Sequence, residues 1–276
     1  MLNINADTKL YAVLGYPVNH SLSPQMQNAW FEQNKLNSVY FAFETAPKKL
    51  KETLDTLKKL KFGGCNITVP LKIDAVKFAD KLDTASRKIG SLNTIAIRDG
   101  KLYGYNTDYS GFLADLKSKK IQVKGKTFFV YGAGGAAKAV VYALKNADAK
   151  TIFIANRTYA HAVNLAKKFR CTPARTEVVE RSLALADVII NASACGLNKN
   201  DKLPFTVLSL PKKVTVYDLV YNKALPPFKA FAKKFKLTYF SGEGMLIWQG
   251  AKAFEIWTGK KPDIKKAEKI IRGIDA

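Results

Sequence analysis

The chain has 276 residues, 47% of them hydrophobic, which allows two ordinary domains with a sizeable core and excludes an intrinsically disordered chain. Lys and Arg number 45 against 22 Asp and Glu, a formal net charge of +23. No run approaches the roughly 18 consecutive apolar residues of a membrane span, and the first seven residues lack the basic and apolar pattern of a secretory signal, so neither is expected. Residues 9–15 form a short apolar run closed by Gly15 and Pro17, the pattern of a buried strand. Ser23-Pro24 reads as an N-cap followed by proline at the first helical position, opening a helix to about Asn34. A second strand is predicted over 39–43, and Pro47 opens a helix whose Leu50, Leu54, Leu57 and Leu60 recur at spacings of three and four. A third strand over 64–69 stops at Pro70, with another helix expected after it. This alternation predicts an α/β domain with a largely parallel sheet.

A second alternating series begins at Lys126. Strands are expected over 127–131, 151–155, 188–191 and 214–217, with an Ala-rich helix to about Asn146 and helices over 245–257 and 265–271. The boundaries drawn from this series are a first α/β domain over 1–106, completed by C-terminal helices within 240–276, and a second over 107–239. No repeat, low-complexity tract or flexible linker interrupts them.

The second domain opens on a glycine-rich turn. Gly132, Gly134 and Ala137 in Gly132-Ala133-Gly134-Gly135-Ala136-Ala137 supply G-x-G-x-x-A between a predicted strand and a predicted helix. The first glycine permits the tight turn, the second lets backbone approach a pyrophosphate, and the small third residue packs helix on strand, as in a Rossmann-type dinucleotide domain. Phosphates would then rest on N–H groups of the helix start around Gly135 and Ala136. The competing reading is a turn of the same composition with no ligand. At the tip of the next strand stands Asn156-Arg157-Thr158, where NAD enzymes usually carry an acid for the ribose 2′-OH. An acid would repel a 2′-phosphate, whereas Arg157 offers a matching fork, so NADP is favoured over NAD. Arg157 as a mere surface cation is the bland alternative.

The basic charge also admits two readings. A nucleic-acid binder would gather it on one helix or tail, usually as Arg. Here it is mostly Lys and dispersed, as at Lys48-Lys49, Lys58-Lys59, Lys119-Lys120, Lys233-Lys234 and Lys265-Lys266, mainly on amphipathic segments. That favours solvated helix faces, with steering of anionic small molecules as a by-product and no nucleic-acid or membrane partner. Cys65, Cys171 and Cys195 are odd in number and far apart, as reduced thiols of a cytoplasmic protein would be. Two histidines, His20 and His161, argue against a histidine-rich metal site, and no metal is expected.

Polar residues gather at the strand ends of the first domain. Ser21 and Ser23 bring two hydroxyls suited to a carboxylate, although Ser23 also fits a cap. Asn66 and Thr68 alternate with Cys65, Ile67 and Val69 and so share a strand face, with Lys72 just beyond. Asn93 lies in Gly90-Ser91-Leu92-Asn93-Thr94, and Asp108 in Gly104-Tyr105-Asn106-Thr107-Asp108. Taken singly, each fits a cap or turn as well as a site. Gln249 is a polar side chain inside the otherwise apolar 245–251 run.

Together these segments resemble a known family. Gly15-Tyr16-Pro17-Val18-Asn19-His20-Ser21-Leu22-Ser23-Pro24, Gly64-Cys65-Asn66-Ile67-Thr68-Val69-Pro70-Leu71-Lys72, Gly104-Tyr105-Asn106-Thr107-Asp108-Tyr109-Ser110-Gly111 and Gly242-Glu243-Gly244-Met245-Leu246-Ile247-Trp248-Gln249-Gly250-Ala251 are similar, in order, to the motifs of the shikimate dehydrogenases. The resemblance implies a substrate domain plus a Rossmann-type NADP-binding domain, and NADPH-dependent reduction of 3-dehydroshikimate to shikimate in aromatic amino acid biosynthesis. It implies Lys72 and Asp108 as the catalytic pair, and Ser21, Ser23 and Tyr221 for the substrate carboxylate. Asn66, Thr68, Asn93 and Gln249 would bind ring hydroxyls or complete the pocket, and Gly242 would join the cofactor-binding residues. A monomer or homodimer is expected. The chain departs from the family with Gln27 in place of a usual His, with Lys223 and Pro226 after Tyr221-Asn222, and with Leu197 in place of a frequent Met. Two alternatives stay open beside this reading: a quinate/shikimate dehydrogenase using NAD, and a dinucleotide-binding regulatory module without turnover. The intact Lys72 and Asp108 argue against the second.

Overall fold

A computed structural model describes residues 4–198, 200–210, 214–221 and 226–273. The departure at Lys223 lies outside them. The chain forms two compact units, Met1–Phe112 with Leu246–Ala276, and Leu113–Met245.

The first unit runs through β1 (Lys9–Gly15), α1 (Ser23–Gln33), β2 (Ser38–Glu44), α2 (Leu50–Lys59), β3 (Gly64–Ile67), β4 (Lys81–Leu82), α3 (Thr84–Ile89), β5 (Thr94–Arg98), β6 (Lys101–Tyr105) and the start of α4 (Asp108–Ser118). Its sheet has the order β2-β1-β3-β5-β6-β4. The three strands located by apolar runs are parallel neighbours, β1 pairing with β2 and β3. The hairpin β5–β6 is antiparallel to β3 and within itself, while β4 pairs parallel with β6, so three of the sheet's five pairs are parallel and the hairpin is an antiparallel insert. Its signal was present in Asp99-Gly100, which adopt φ 49° and 68°, the left-handed pair of a two-residue hairpin turn.

Three local expectations need correction. Ser23 is the first helical residue of α1 and not its cap; the Ser21 Oγ accepts from the Ser23 N–H at 3.3 Å instead. Residues after Pro70 make a 3-10 turn, Asp74–Phe78, where a helix was expected, because only Leu71 and Ala75 there are buried and so little apolar face cannot hold an α-helix. Pro47 opens a 3-10 turn ahead of α2, and α2 buries Leu50, Leu54 and Leu57, whereas Leu60 follows its last residue and stands 62% exposed. The α2 leucines meet Leu14, Ile67, Ile95 and Leu102 in one core cluster, each full burial worth about 1.5–3 kcal/mol.

The second unit contains β7 (Thr127–Tyr131), α5 (Gly135–Asn146), β8 (Thr151–Ala155), α6 (Tyr159–Phe169), β9 (Thr172–Pro173), α7 (Glu180–Ala184), β10 (Val188–Asn191), β11 (Thr215–Asp218), α8 (Pro227–Lys234) and β12 (Thr238–Ser241). Its sheet, in the order β12-β11-β10-β7-β8-β9, is parallel at every pair. Phe129, Ile189, Val216, Phe228 and Phe231 centre its core. Then follow α9 (Glu243–Thr258) and α10 (Ile264–Gly273). They are tied to the first unit by the Trp257 indole N–H on Ile95 O at 3.0 Å and the Trp30 indole N–H on Asp263 O at 2.8 Å. Gln27 is fully buried and donates to Gly250 O at 3.0 Å, a packing role between α1 and α9. The compact units divide inside α4 and α9, six residues beyond the boundaries expected from the sequence, one of which falls between β6 and α4 and the other within β12.

Candidate functional site

In the first unit five of the singled-out side chains join one buried hydrogen-bond web. Lys72 Nζ lies 2.7 Å from Asp108 Oδ2, with side chains 14% and 4% exposed. Asp108 Oδ1 accepts from Asn93 Nδ2 at 2.9 Å. The same Asn93 nitrogen is 2.8 Å from Thr107 Oγ1 and 2.9 Å from Gln249 Oε1, and Asn93 Oδ1 accepts from the Thr107 N–H at 2.6 Å. Asn66 Nδ2 donates to Asn93 O at 3.0 Å and Asn66 Oδ1 accepts from the Tyr40 hydroxyl at 2.7 Å.

Local structure explains why these groups meet. Asn66 is on β3, whose neighbour β5 begins one residue after Asn93, so the antiparallel register brings both asparagines to one sheet end. Lys72 sits in the turn after β3, and its carbonyl accepts from the Leu92 N–H at 2.9 Å, fixing that turn beside Asn93. Asp108 opens α4, where its own N–H and that of Tyr109 donate to Asn106 Oδ1 at 3.1 and 3.4 Å. Asn106 thereby caps the helix and sets the direction of Asp108. Gln249 lies two turns into α9, its Nε2 donating to Leu246 O at 2.9 Å, which leaves Oε1 toward Asn93. The sequence reading passed over Tyr40, Asn106 and Thr107 as site members. Asn106 and Thr107 stood inside one of the family motifs, while nothing local marked Tyr40.

The other expected substrate residues lie elsewhere in the two units. Ser21 is half-buried and Ser23 buried in the loop and first turn after β1. Thr68 lies just past β3 with its N–H on Leu14 O at 2.8 Å, against Gly15. Tyr221 belongs to the second unit and is half-buried next to Val220, whose N–H donates to Asp218 Oδ1 at 3.0 Å.

In the second unit the glycine-rich turn has the shape of a phosphate cradle. Gly132 adopts φ 127°, and a Cβ there would stand 2.6 Å from Ala192 O at the end of β10, so a side chain is excluded. A Cβ on Gly134 would meet nothing within 4 Å, so the space over the helix start is open. Gly134 is the N-cap of α5 with no side-chain cap, no acid occupies the first turn, and Ala137 is wholly buried against the sheet. A twelve-residue helix whose start has no side-chain cap, behind a glycine turn, fits a pyrophosphate. Asn156 Nδ2 donates to Thr158 O at 3.0 Å and shapes the turn that exposes Arg157 and Thr158. Burial raises the Tyr131 hydroxyl pKa while Arg157 pulls it down, so the guanidinium's field reaches the residue before Gly132. Gly242 has a packing reason of its own: a Cβ there would collide with Leu219 O.

At the ends of β10 and β11, Asn191 and Asp218 are both wholly buried. Asn191 Nδ2 donates to Asp218 Oδ1 at 2.7 Å and to Cys195 O at 2.8 Å, joining the loops that lead to Leu197 and to Tyr221. Burial pushes the Asp218 carboxyl up to about 6, against the lowering influence of its hydrogen bonds. Cys195 and Cys171 are pushed up to about 11, chiefly by burial, and Cys65 is raised by burial alone, so none is an activated thiol. Among the described residues no group of His, Cys, Asp and Glu is arranged to hold a metal ion, and no helix is long and apolar enough to cross a membrane.

Comparison with known proteins follows the same division. Residues 13–95 match the family described as shikimate dehydrogenase substrate binding domain, 114–199 match shikimate / quinate 5-dehydrogenase, and 242–272 match the shikimate 5'-dehydrogenase C-terminal domain. The chain is 42% identical over 273 residues to the shikimate dehydrogenase (NADP(+)) of Aquifex aeolicus, covering 98% of this chain and 99% of that one. Among solved structures, a shikimate dehydrogenase in complex with NADP+ superposes with TM-score 0.89 at 39% identity, covering 99% of this chain and 98% of that one. The shikimate 5-dehydrogenase of Thermus thermophilus, in complex with NADP(H) and shikimate, gives TM-score 0.84 at 36% identity, covering 96% of this chain and 99% of that one.

Proposed function

The chain belongs to the shikimate dehydrogenase family, and we propose that it catalyses the NADPH-dependent, reversible reduction of 3-dehydroshikimate to shikimate in aromatic amino acid biosynthesis. The observation that carries this reading is the Lys72–Asp108 pair, braced by Asn93 and nearly withdrawn from solvent. When bound, NADPH supplies the hydride for the carbonyl carbon. The chain must then deliver a proton to the carbonyl oxygen and stabilise the negative charge that grows there.

Lys72 is placed for both tasks, since an ammonium held by a carboxylate offers a directed proton and a positive charge in a poorly solvated position. Asp108 orients that ammonium through Oδ2 and, being fixed by Asn93 through Oδ1, cannot swing away. Asn66, Thr68, Asn93 and Gln249 bind ring hydroxyls or complete the pocket, and Ser21, Ser23 and Tyr221 take the substrate carboxylate. In the reverse direction Lys72 receives the hydroxyl proton of shikimate.

The cofactor is NADP. Gly132, Gly134, Gly135, Ala136 and Ala137 receive its pyrophosphate at the start of α5, Asn156, Arg157 and Thr158 receive the 2′-phosphate, and Gly242 completes the cofactor side. Residues 1–106 with 240–276 form the substrate domain and 107–239 the cofactor domain. The partner is a small molecule, and neither nucleic acid nor membrane is part of the function. The protein works in the cytoplasm as a monomer or homodimer.

The test is purified protein with shikimate and either NADP or NAD, followed by absorbance of the reduced cofactor, with quinate in parallel. Reduction of NADP with shikimate supports the proposal. No turnover with either cofactor would refute it, and preference for quinate with NAD would replace it.

A further inference from the structure

The carboxyl end of β8 carries Arg157, and a second guanidinium is built into the same corner. Strand β9 lies parallel to β8, with Phe153 opposite Thr172 and Ile154 opposite Pro173, and the Ala174 N–H extends the ladder to Ile154 O at 2.8 Å. Continuing that register places Arg175 alongside Asn156, the residue that shapes the Arg157 turn. The Arg175 guanidinium carbon stands 4.3 Å from the ring centroid of Tyr159, the first residue of α6. Arg175 is exposed and Tyr159 half-buried. Stacking on an aromatic face fixes the plane of a guanidinium and leaves its in-plane N–H donors available at the edge.

The corner gathers positive charge. Among the described residues neither Arg157 nor Arg175 forms an ion pair with an acid. The start of α6 has no side-chain cap and no acid in its first turn. A phosphate monoester carries close to two charges and three acceptor oxygens, which one arginine fork does not satisfy.

We propose that Arg175, held on Tyr159, is a second specificity-determining residue for the adenosine 2′-phosphate, so that preference for NADP rests on Arg157 and Arg175 together. This rests on the reading that NADP binds at the Gly132–Ala137 turn. It assigns a task to a residue that no cofactor motif contains, next to an edge strand of two residues.

The experiment is steady-state kinetics of the full chain with NADP and with NAD at saturating shikimate, together with inhibition by 2′,5′-ADP and by 5′-ADP. Arg175→Gln should raise KM for NADP about tenfold, as loss of one charge-assisted contact predicts, and weaken 2′,5′-ADP similarly. KM for NAD and inhibition by 5′-ADP should move much less. Tyr159→Leu should lower the same selectivity through loss of the stack, and Tyr159→Phe should recover it relative to Leu. Equal changes for both cofactors, or none, would overturn the role of Arg175. If Arg157→Ala then still weakens NADP selectively, the cofactor reading survives without Arg175. If neither arginine variant nor the parent separates the two cofactors, the cofactor reading itself fails.

Discussion

Lys72 and Asp108, 36 residues apart in the chain, meet at 2.7 Å with their side chains 14% and 4% exposed. If Lys72 supplies the proton, substitutions at this pair separate catalysis from binding. Lys72→Ala should lower kcat by roughly 10²–10⁴, the range of general acid–base assistance, while KM for shikimate moves less. Ser21→Ala should show the opposite balance, a raised KM from a lost carboxylate contact. Single-turnover hydride transfer at saturating shikimate and NADP checks this. A Lys72→Ala rate within about threefold of the parent would reduce Lys72 to a binding residue.

The Asn93 side chain ties together Asp108, Thr107 through both its backbone and hydroxyl, and Gln249. Asn93→Ala leaves buried polar groups without partners, so stability should fall by about 1–3 kcal/mol. Freed from its brace, Asp108 should orient Lys72 less well, and kcat should fall as well. Urea unfolding and initial rates measured on one preparation test both parts, and an unchanged midpoint would show that the web carries no stability.

Arg157→Ala should weaken NADP much more than NAD, by about 1.5–3 kcal/mol if the guanidinium holds the 2′-phosphate in a charge-assisted bond. Binding titrations with the two cofactors are the direct measurement. Equal losses would mean that Arg157 does not read the phosphate.

Asp218 predicts a pH dependence of stability. Its pKa rises on folding from the ordinary carboxylate value of 3.8 to about 6, because the protein buries it. Its contribution is fully present below pH 4, where both states are protonated. As pH rises from about 4 to 6 the unfolded chain ionises first and about 3 kcal/mol of that contribution is lost, at 1.36 kcal/mol per unit. Asp218→Asn cannot ionise and keeps an oxygen for the Val220 N–H and for Asn191. Parent stability minus variant stability should therefore decrease across this window in denaturant unfolding at pH 4, 5, 6 and 7. Acids with lowered pKa, such as Asp55 and Asp201, act in the opposite sense and cancel in the difference. A difference that stays flat with pH would mean that Asp218 does not ionise at a raised pKa.

Apolar periodicity and turn chemistry made much of the fold legible. Runs such as 127–131 and 151–155 became strands with those bounds, because parallel strands covered on both faces read as near-continuous apolar runs. The Gly132–Ala137 turn was equally readable, since its conformation demands glycine at 132 whatever surrounds it. The hairpin at 94–105 was missed although Asp99-Gly100 announced its turn, and the helix after Pro70 failed because propensity alone did not find it a surface to pack against. For the site, sequence supplied the residue types and left each open to a structural reading as cap or turn. Tertiary structure decided that Lys72, Asn93, Asp108 and Gln249 share one web, because only the register of β3 on β5 and the return of α9 bring them within hydrogen-bond reach. It also decided the parts of Tyr40, Asp218 and Arg175. Their signals are burial, a cross-strand bond and a stacked ring, and these exist only between segments distant in the chain.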